Sequence, residues 1–112
     1  MFAMKIGCEK GDIKVIRVSD RDYDTGHDAT LYEIHEIVGG WPEPCAPLEL
    51  KRRNIQLFSD EEGLLKQYDL NENLFPFFYV GPLVAVGFFE GEFCSLTRYQ
   101  IDFLKDWLKN LG

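Results

Sequence analysis

Ile55-Gln-Leu-Phe58, followed directly by Ser59-Asp60-Glu61-Glu62-Gly63, decides how this chain folds. The short apolar segment with a β-branched opening reads as a strand, and the acidic run ending in glycine reads as the turn that closes it. Gly63 is expected to take a positive φ there. Beyond the turn, Leu64, Leu65 and Tyr68 are expected to fold inward, and Asn71 and Asn73 suit turns closed by their own side chains.

Downstream, Phe77-Phe-Tyr-Val80 reads as a strand, Gly81-Pro82 as a turn, and Leu83-Val-Ala-Val-Gly-Phe-Phe89 as a second strand. Its nearly unbroken apolar run implies that both faces are covered or that the strand is central. The last helix opens at Thr97, which with Gln100 matches a capping box, while Leu96 is placed to staple against Ile101. Phe103, Leu104, Trp107, Leu108 and Leu111 then form its apolar stripe.

Upstream, Ile13 to Val18 reads as a strand and Ser19 to Asp28 as a polar loop, with Asp28 placed to cap a helix. Leu31, Ile34, Ile37 and Val38 fall at helical spacing, and Gly39 suits the left-handed residue that ends a helix. A strand over Tyr32–Val38 stays open. Pro42, Pro44 and Pro47 restrict their segment to an edge strand or an extended connector. Leu48 to Arg53 reads as a solvated turn carrying the basic trio Lys51, Arg52 and Arg53.

These elements imply an α+β fold: a small, mostly antiparallel sheet with two helices, the C-terminal helix packed on the sheet. The 112 residues make one domain, 1–112, in which residues 1–12 are expected to be a loosely attached N-terminal strand or extension. Either Met1 or Met4 serves as a natural start.

With 46% apolar and 14% aromatic residues, the composition excludes a disordered chain. Nineteen acids against twelve bases give a net charge of −7, which disfavours direct contact with nucleic acid or anionic lipid. Three cysteines without a C-x-x-C pair imply free thiols in a reducing cytoplasm. The longest apolar run, Phe75 to Phe89, is interrupted by prolines and glycines and is too short to cross a membrane.

Catalytic spacing is hard to find. His27, His35, Cys8, Cys45 and Cys94 lack the paired spacings of a metal site, so neither metal nor cofactor is expected. Cys94 and His35 would need tertiary structure to meet as nucleophile and base. Asp60, Glu61 and Glu62 are adjacent turn residues, expected to remain solvated rather than to form an acid–base pair. Gly39-Gly40 follows a helix and so lies at the wrong end for a phosphate cradle.

Val38-Gly39-Gly40-Trp41-x-Glu43, Asp60-Glu61-Glu62-Gly63-Leu64, Leu70-Asn71-x-Asn73, Gly81-Pro82-Leu83-Val84 and Ser95-Leu96-Thr97 occur in this order. In that order the chain resembles the domain of unknown function 3846 family over residues 13–108. The resemblance implies a small α+β domain carried by phages and mobile elements. The Pro-rich segment 42–47 and the Phe-rich segment 75–79 depart from the family pattern, so an edge used for partner contact would differ here.

The leading functional expectation is a cytoplasmic, non-enzymatic accessory protein that binds and inhibits a host protein, such as a component of a defence system. Its contact surface would be an acidic face built from Asp20, Asp22, Asp24, Asp28, Glu33, Glu36, Asp60, Glu61 and Glu62. Homo-oligomerisation stays open. The alternative is a sponge for a nucleotide signal, with Lys51, Arg52 and Arg53 on phosphate and Phe77 and Tyr79 stacking on the base.

Overall fold

Leu83–Phe89 forms the central strand β5, and its apolar run is explained by what lies beside and above it. The computed structural model describes residues 1–19 and 29–111. On one side β5 pairs antiparallel with β1 (Phe2–Ile6), which pairs in turn with β2 (Ile13–Arg17). On the other side it pairs with β4 (Ile55–Asp60), which carries β3 (Pro42–Pro44) at the outer edge. The order is therefore β2-β1-β5-β4-β3, and β6 (Glu92–Cys94) folds back on the end of β5 through Glu90-Gly91. Both turn residues have positive φ, 52° and 79°, as a two-residue hairpin with right-handed strand twist requires.

Strand periodicity distributes the side chains between two cores. Met4, Ile6, Ile55, Leu57, Leu83 and Ala85 point to one face. They meet Leu50 of α2 (Leu48–Lys51) and Leu104 and Leu108 of α3 (Arg98–Lys109). Ala3, Phe58, Val84 and Val86 point to the other face, under Ile34 and Val38 of α1 (Ala29–Val38). The fold is thus α+β with a helical layer on each side of an antiparallel sheet. The helical reading of 31–38 holds, and Gly39 ends that helix at φ 93°. α3 begins as expected: Thr97 accepts from the Gln100 amide at 3.1 Å, and Gln100 Oε1 accepts from the Thr97 amide at 2.9 Å.

Several expectations are corrected. Residues 1–12 are not a loose extension, because β1 is an interior strand whose Ala3, Met4 and Ile6 are wholly buried. Phe77–Tyr79 form no strand; only Val80 makes a single bridge, to Leu70. Leu64 and Leu65 do not fold inward but stand 68% and 82% exposed, and Gly63 has no positive φ. Leu48–Lys51 is a helical turn that buries Leu50 rather than a solvated loop.

The prolines have a specific effect at the β3 edge. Trp41 O accepts from the Glu61 amide and the Cys45 amide donates to Leu57 O, so residues 41, 43 and 45 direct their backbone groups toward β4. Pro42 and Pro44 therefore occupy the positions facing outward, where a proline offers no N–H. That edge cannot be extended by a further strand in the normal way.

Candidate functional site

β4 ends at Asp60, which by strand alternation lies on the same face as Phe58, against the C-terminus of α1. Its side chain is 1% exposed and sits 2.8 Å from Lys66 Nζ. The carboxylate also accepts from Tyr68 Oη at 2.9 Å and from the Glu62 amide at 2.9 Å. Burial pushes its pKa up, but the bonds from Lys66, Glu62 and Tyr68 outweigh that and hold it below the ordinary carboxylate range. Lys66 and Tyr68 are shifted upward, chiefly by their bonds to Asp60. Lys66 Nζ also donates to Gly39 O at 3.0 Å, so the pair clasps the end of α1 to the end of β4.

This arrangement explains Gly39-Gly40. A Cβ on Gly40 would stand 2.4 Å from Asp60 Oδ1, and one on Gly39 would stand 2.5 Å from Tyr68 Oη. Asn71 and Asn73 make a second clasp. Asn71 Nδ2 donates to Ile6 O and Gly81 O at 3.1 and 2.9 Å. Asn73 Nδ2 donates to Gly7 O and Glu9 O at 2.7 and 2.8 Å and its Oδ1 accepts from the Gly11 amide at 2.8 Å. The expected side-chain turn is present as well, since Asn71 Oδ1 accepts from the Asn73 amide. These polar groups hold segments of the backbone together.

Two concave surfaces among the described residues stand out. The first is a cleft of about 240 Å³ at the β3–β4 end of the sheet, lined by Glu43, Cys45, Ser59, Glu61, Leu64, Phe78, Tyr79 and Val80 among others. Its apolar wall is unusual in being presented to water: Phe78 is 72% exposed and Leu64 68%. Glu43 and Glu61 give it an acidic rim. Tyr79 anchors the floor by donating to Cys45 O at 2.6 Å, and burial pushes its pKa up to about 12. Burial likewise raises the Cys45 thiol to about 11, which favours its protonated form.

The second is a groove of about 470 Å³ between α2 and α3, lined by Glu49, Arg52, Arg53, Phe103 and Trp107. Arg53 lies over the Phe103 ring at 4.0 Å and donates to Tyr99 Oη at 2.6 Å. Trp107 Nε1 donates to Glu49 Oε2 at 2.9 Å, and its ring rests against Phe77 with centroids 5.7 Å apart.

The residues singled out by sequence are divided among these places. Asp20, Asp22, Asp24 and Asp28, with the expected cap at Asp28, lie outside the described residues. Glu33 accepts from the Ser19 amide and hydroxyl, and Glu36, Glu61 and Glu62 are exposed. Asp60 differs from its neighbours: it is buried and consumed by its bonds, so it is neither a solvated turn residue nor surface charge. Arg52 and Arg53 do share a groove with aromatic rings, but those rings are Phe103, over which Arg53 lies, and Trp107, both from the stripe of α3. Phe77 stands behind Trp107, Tyr79 belongs to the other cleft, and Lys51 is exposed outside the groove lining. His35 packs edge-on against Trp41 at 4.9 Å, while Cys94 lies in β6 beside Gly87. Among the described residues, no three His, Cys, Asp or Glu side chains are grouped to hold a metal.

Fold and surfaces together define a small α+β domain whose conspicuous polar residues are structural and whose exposed features are an acidic apolar cleft and a basic aromatic groove. The chain belongs to the family described as domain of unknown function (DUF3846), whose profile matches residues 8–109. No curated protein and no solved structure matches it. Among the described residues, no helix is long and apolar enough to cross a membrane.

Proposed function

We propose that this domain is a binding protein without catalysis of its own, which grips a basic segment of another protein through the cleft at the β3–β4 end. The observation that carries this reading is the pairing of exposed Leu64 and Phe78 with the acids Glu43 and Glu61 around one concavity. Apolar anchors contribute affinity when they enter such a wall, while the acidic rim and the net charge of −7 select a cationic partner and speed its approach. The prolines of β3 argue that the partner docks by side chains and not by adding a strand. In the setting that the family resemblance suggests, the partner is a host component met by a phage or mobile element, and its capture would blunt a defence system in the host cytoplasm.

The test places a photo-crosslinking residue at Leu64 and compares capture from host lysate with that by the Leu64→Lys, Phe78→Ser double variant and the Glu43→Lys, Glu61→Lys pair. The expected result is one cationic protein, cross-linked at 64, weakened by salt and lost in both variants. Capture that is unchanged in both variants, or no specific product at all, would sink the reading.

A further inference from the structure

We propose that the groove between α2 and α3 is a second, separate binding site, and that its ligand is a free nucleotide. Three features converge there. Arg52 and Arg53 stand side by side at the end of α2, and Arg53 spends only one of its five N–H donors, on Tyr99. Two arginines lining one groove suit a phosphate, whose oxygens accept paired N–H bonds.

The groove is also lined by the aromatic rings Phe103 and Trp107, and Trp107 is fixed in place. Trp107 is held on its edge by Glu49 and supported by Phe77, so a base stacking on it would not have to order the ring first. Glu49 adds the third feature. Its Oε2 is occupied by Trp107, while Oε1 accepts no bond from any described residue and can receive an amino or ring N–H of a base. At about 470 Å³ the groove has the size of a small-ligand site.

A free nucleotide fits better than a nucleic-acid strand. The chain carries a net charge of −7, and α3 carries Asp102 and Asp106 next in sequence to the groove residues Phe103 and Trp107. A polyanion would meet that field along its length, whereas one phosphate held by two arginines would not.

The experiment titrates the full chain, in a Trp41→Phe background that leaves Trp107 as the sole tryptophan, with AMP, GMP, CMP, UMP and the corresponding diphosphates. Tryptophan fluorescence and thermal shift are read together. Adenosine, guanosine, cytidine, uridine, inorganic phosphate and a six-residue single-stranded oligonucleotide are the comparison arms. At least one nucleotide should give saturable quenching with a rise in Tm, and its nucleoside and inorganic phosphate should each bind at least about tenfold more weakly. Arg52→Ala should weaken the nucleotide about tenfold without lowering the Tm of the free protein, and Arg98→Ala, in an exposed ion pair outside the groove, should leave binding unchanged. The proposal is overturned by a panel flat in both readouts, by a thermal shift without quenching, by Arg52→Ala binding like the parent, or by saturation with the oligonucleotide alone.

Discussion

Lys66 Nζ lies 2.8 Å from Asp60 Oδ2, and the two residues differ sharply in exposure: 37% of the lysine side chain meets water against 1% of the aspartate. The lysine can turn back to solvent, but the carboxylate cannot. Asp60 is therefore the member whose loss is felt. Asp60→Asn keeps the shape but removes the charge from three hydrogen bonds, and it should destabilise the domain by roughly 1–3 kcal/mol.

The same pair predicts how that cost changes with pH. The folded pKa of Asp60 is depressed, so its contribution is complete above the unfolded carboxylate value of about 4 and is lost as pH falls through the folded value. Lys66 is shifted upward, so its contribution is complete below about 10.4 and lost as pH rises through the folded value. Urea unfolding of parent and Asp60→Asn should show a gap that is constant from about pH 5 to 9 and that narrows below about pH 4. A gap as wide at pH 3 as at pH 7 would show that the carboxylate charge is not what holds α1 to β4.

Local patterns were legible in the sequence, and relationships between distant residues were not. The Thr97–Gln100 capping box and the Gly39 helix end depend on residues within four positions of each other, and both are present. The covered strand 83–89 was legible because burial on two faces leaves a continuous apolar run. Asp60 was illegible because three consecutive acids look alike until strand alternation assigns one to the inner face and Lys66, six residues on, supplies its charge. Leu64 and Leu65 misled for the opposite reason: in a turn there is no period to say which way a leucine points. Phe103 and Trp107 were correctly placed on the apolar stripe, yet only the packing of α2 beside α3 shows that they also line a groove.

Gly40 offers a sharper test of the clasp. A methyl group there would collide with Asp60 Oδ1 and Cγ at 2.4 and 2.6 Å, and the carboxylate cannot yield without breaking its bonds. Gly40→Ala should cost roughly 1–3 kcal/mol in the parent and much less beside Asp60→Ala, where the obstacle is gone. Gly39 is the control, because its φ of 93° penalises any side chain whatever stands at 60. Equal costs for Gly40→Ala in both backgrounds would refute the steric argument.

Asn73 is the second point at which one atom pair carries several segments. Asn73→Asp preserves the shape but turns two N–H donors into an oxygen facing Gly7 O and Glu9 O, which are acceptors themselves. The expected cost is roughly 3 kcal/mol, read from thermal melting, with faster hydrogen exchange at the Gly11 amide that Oδ1 now binds. An unchanged melting temperature would mean that the loop 7–11 is held by something other than this amide.

The thiols give a prediction that needs no substitution. Cys45, raised to about 11 by burial, is ionised in only about one molecule in a thousand at pH 8, against about one in four for an ordinary cysteine near 8.5. Cys8 and Cys94 are also raised, by burial first, with the charge of Asp69 adding to Cys8. Since the thiolate is the nucleophile, alkylation of the native protein by iodoacetamide at pH 8 should be slow at all three and slowest at Cys45. In denaturant the three rates should converge, because the cause of the shift is the fold itself. Cys45 labelled in the native state as fast as a free thiol would require the floor of the cleft, where Tyr79 closes over the Cys45 carbonyl, to open far more often than the packing there allows.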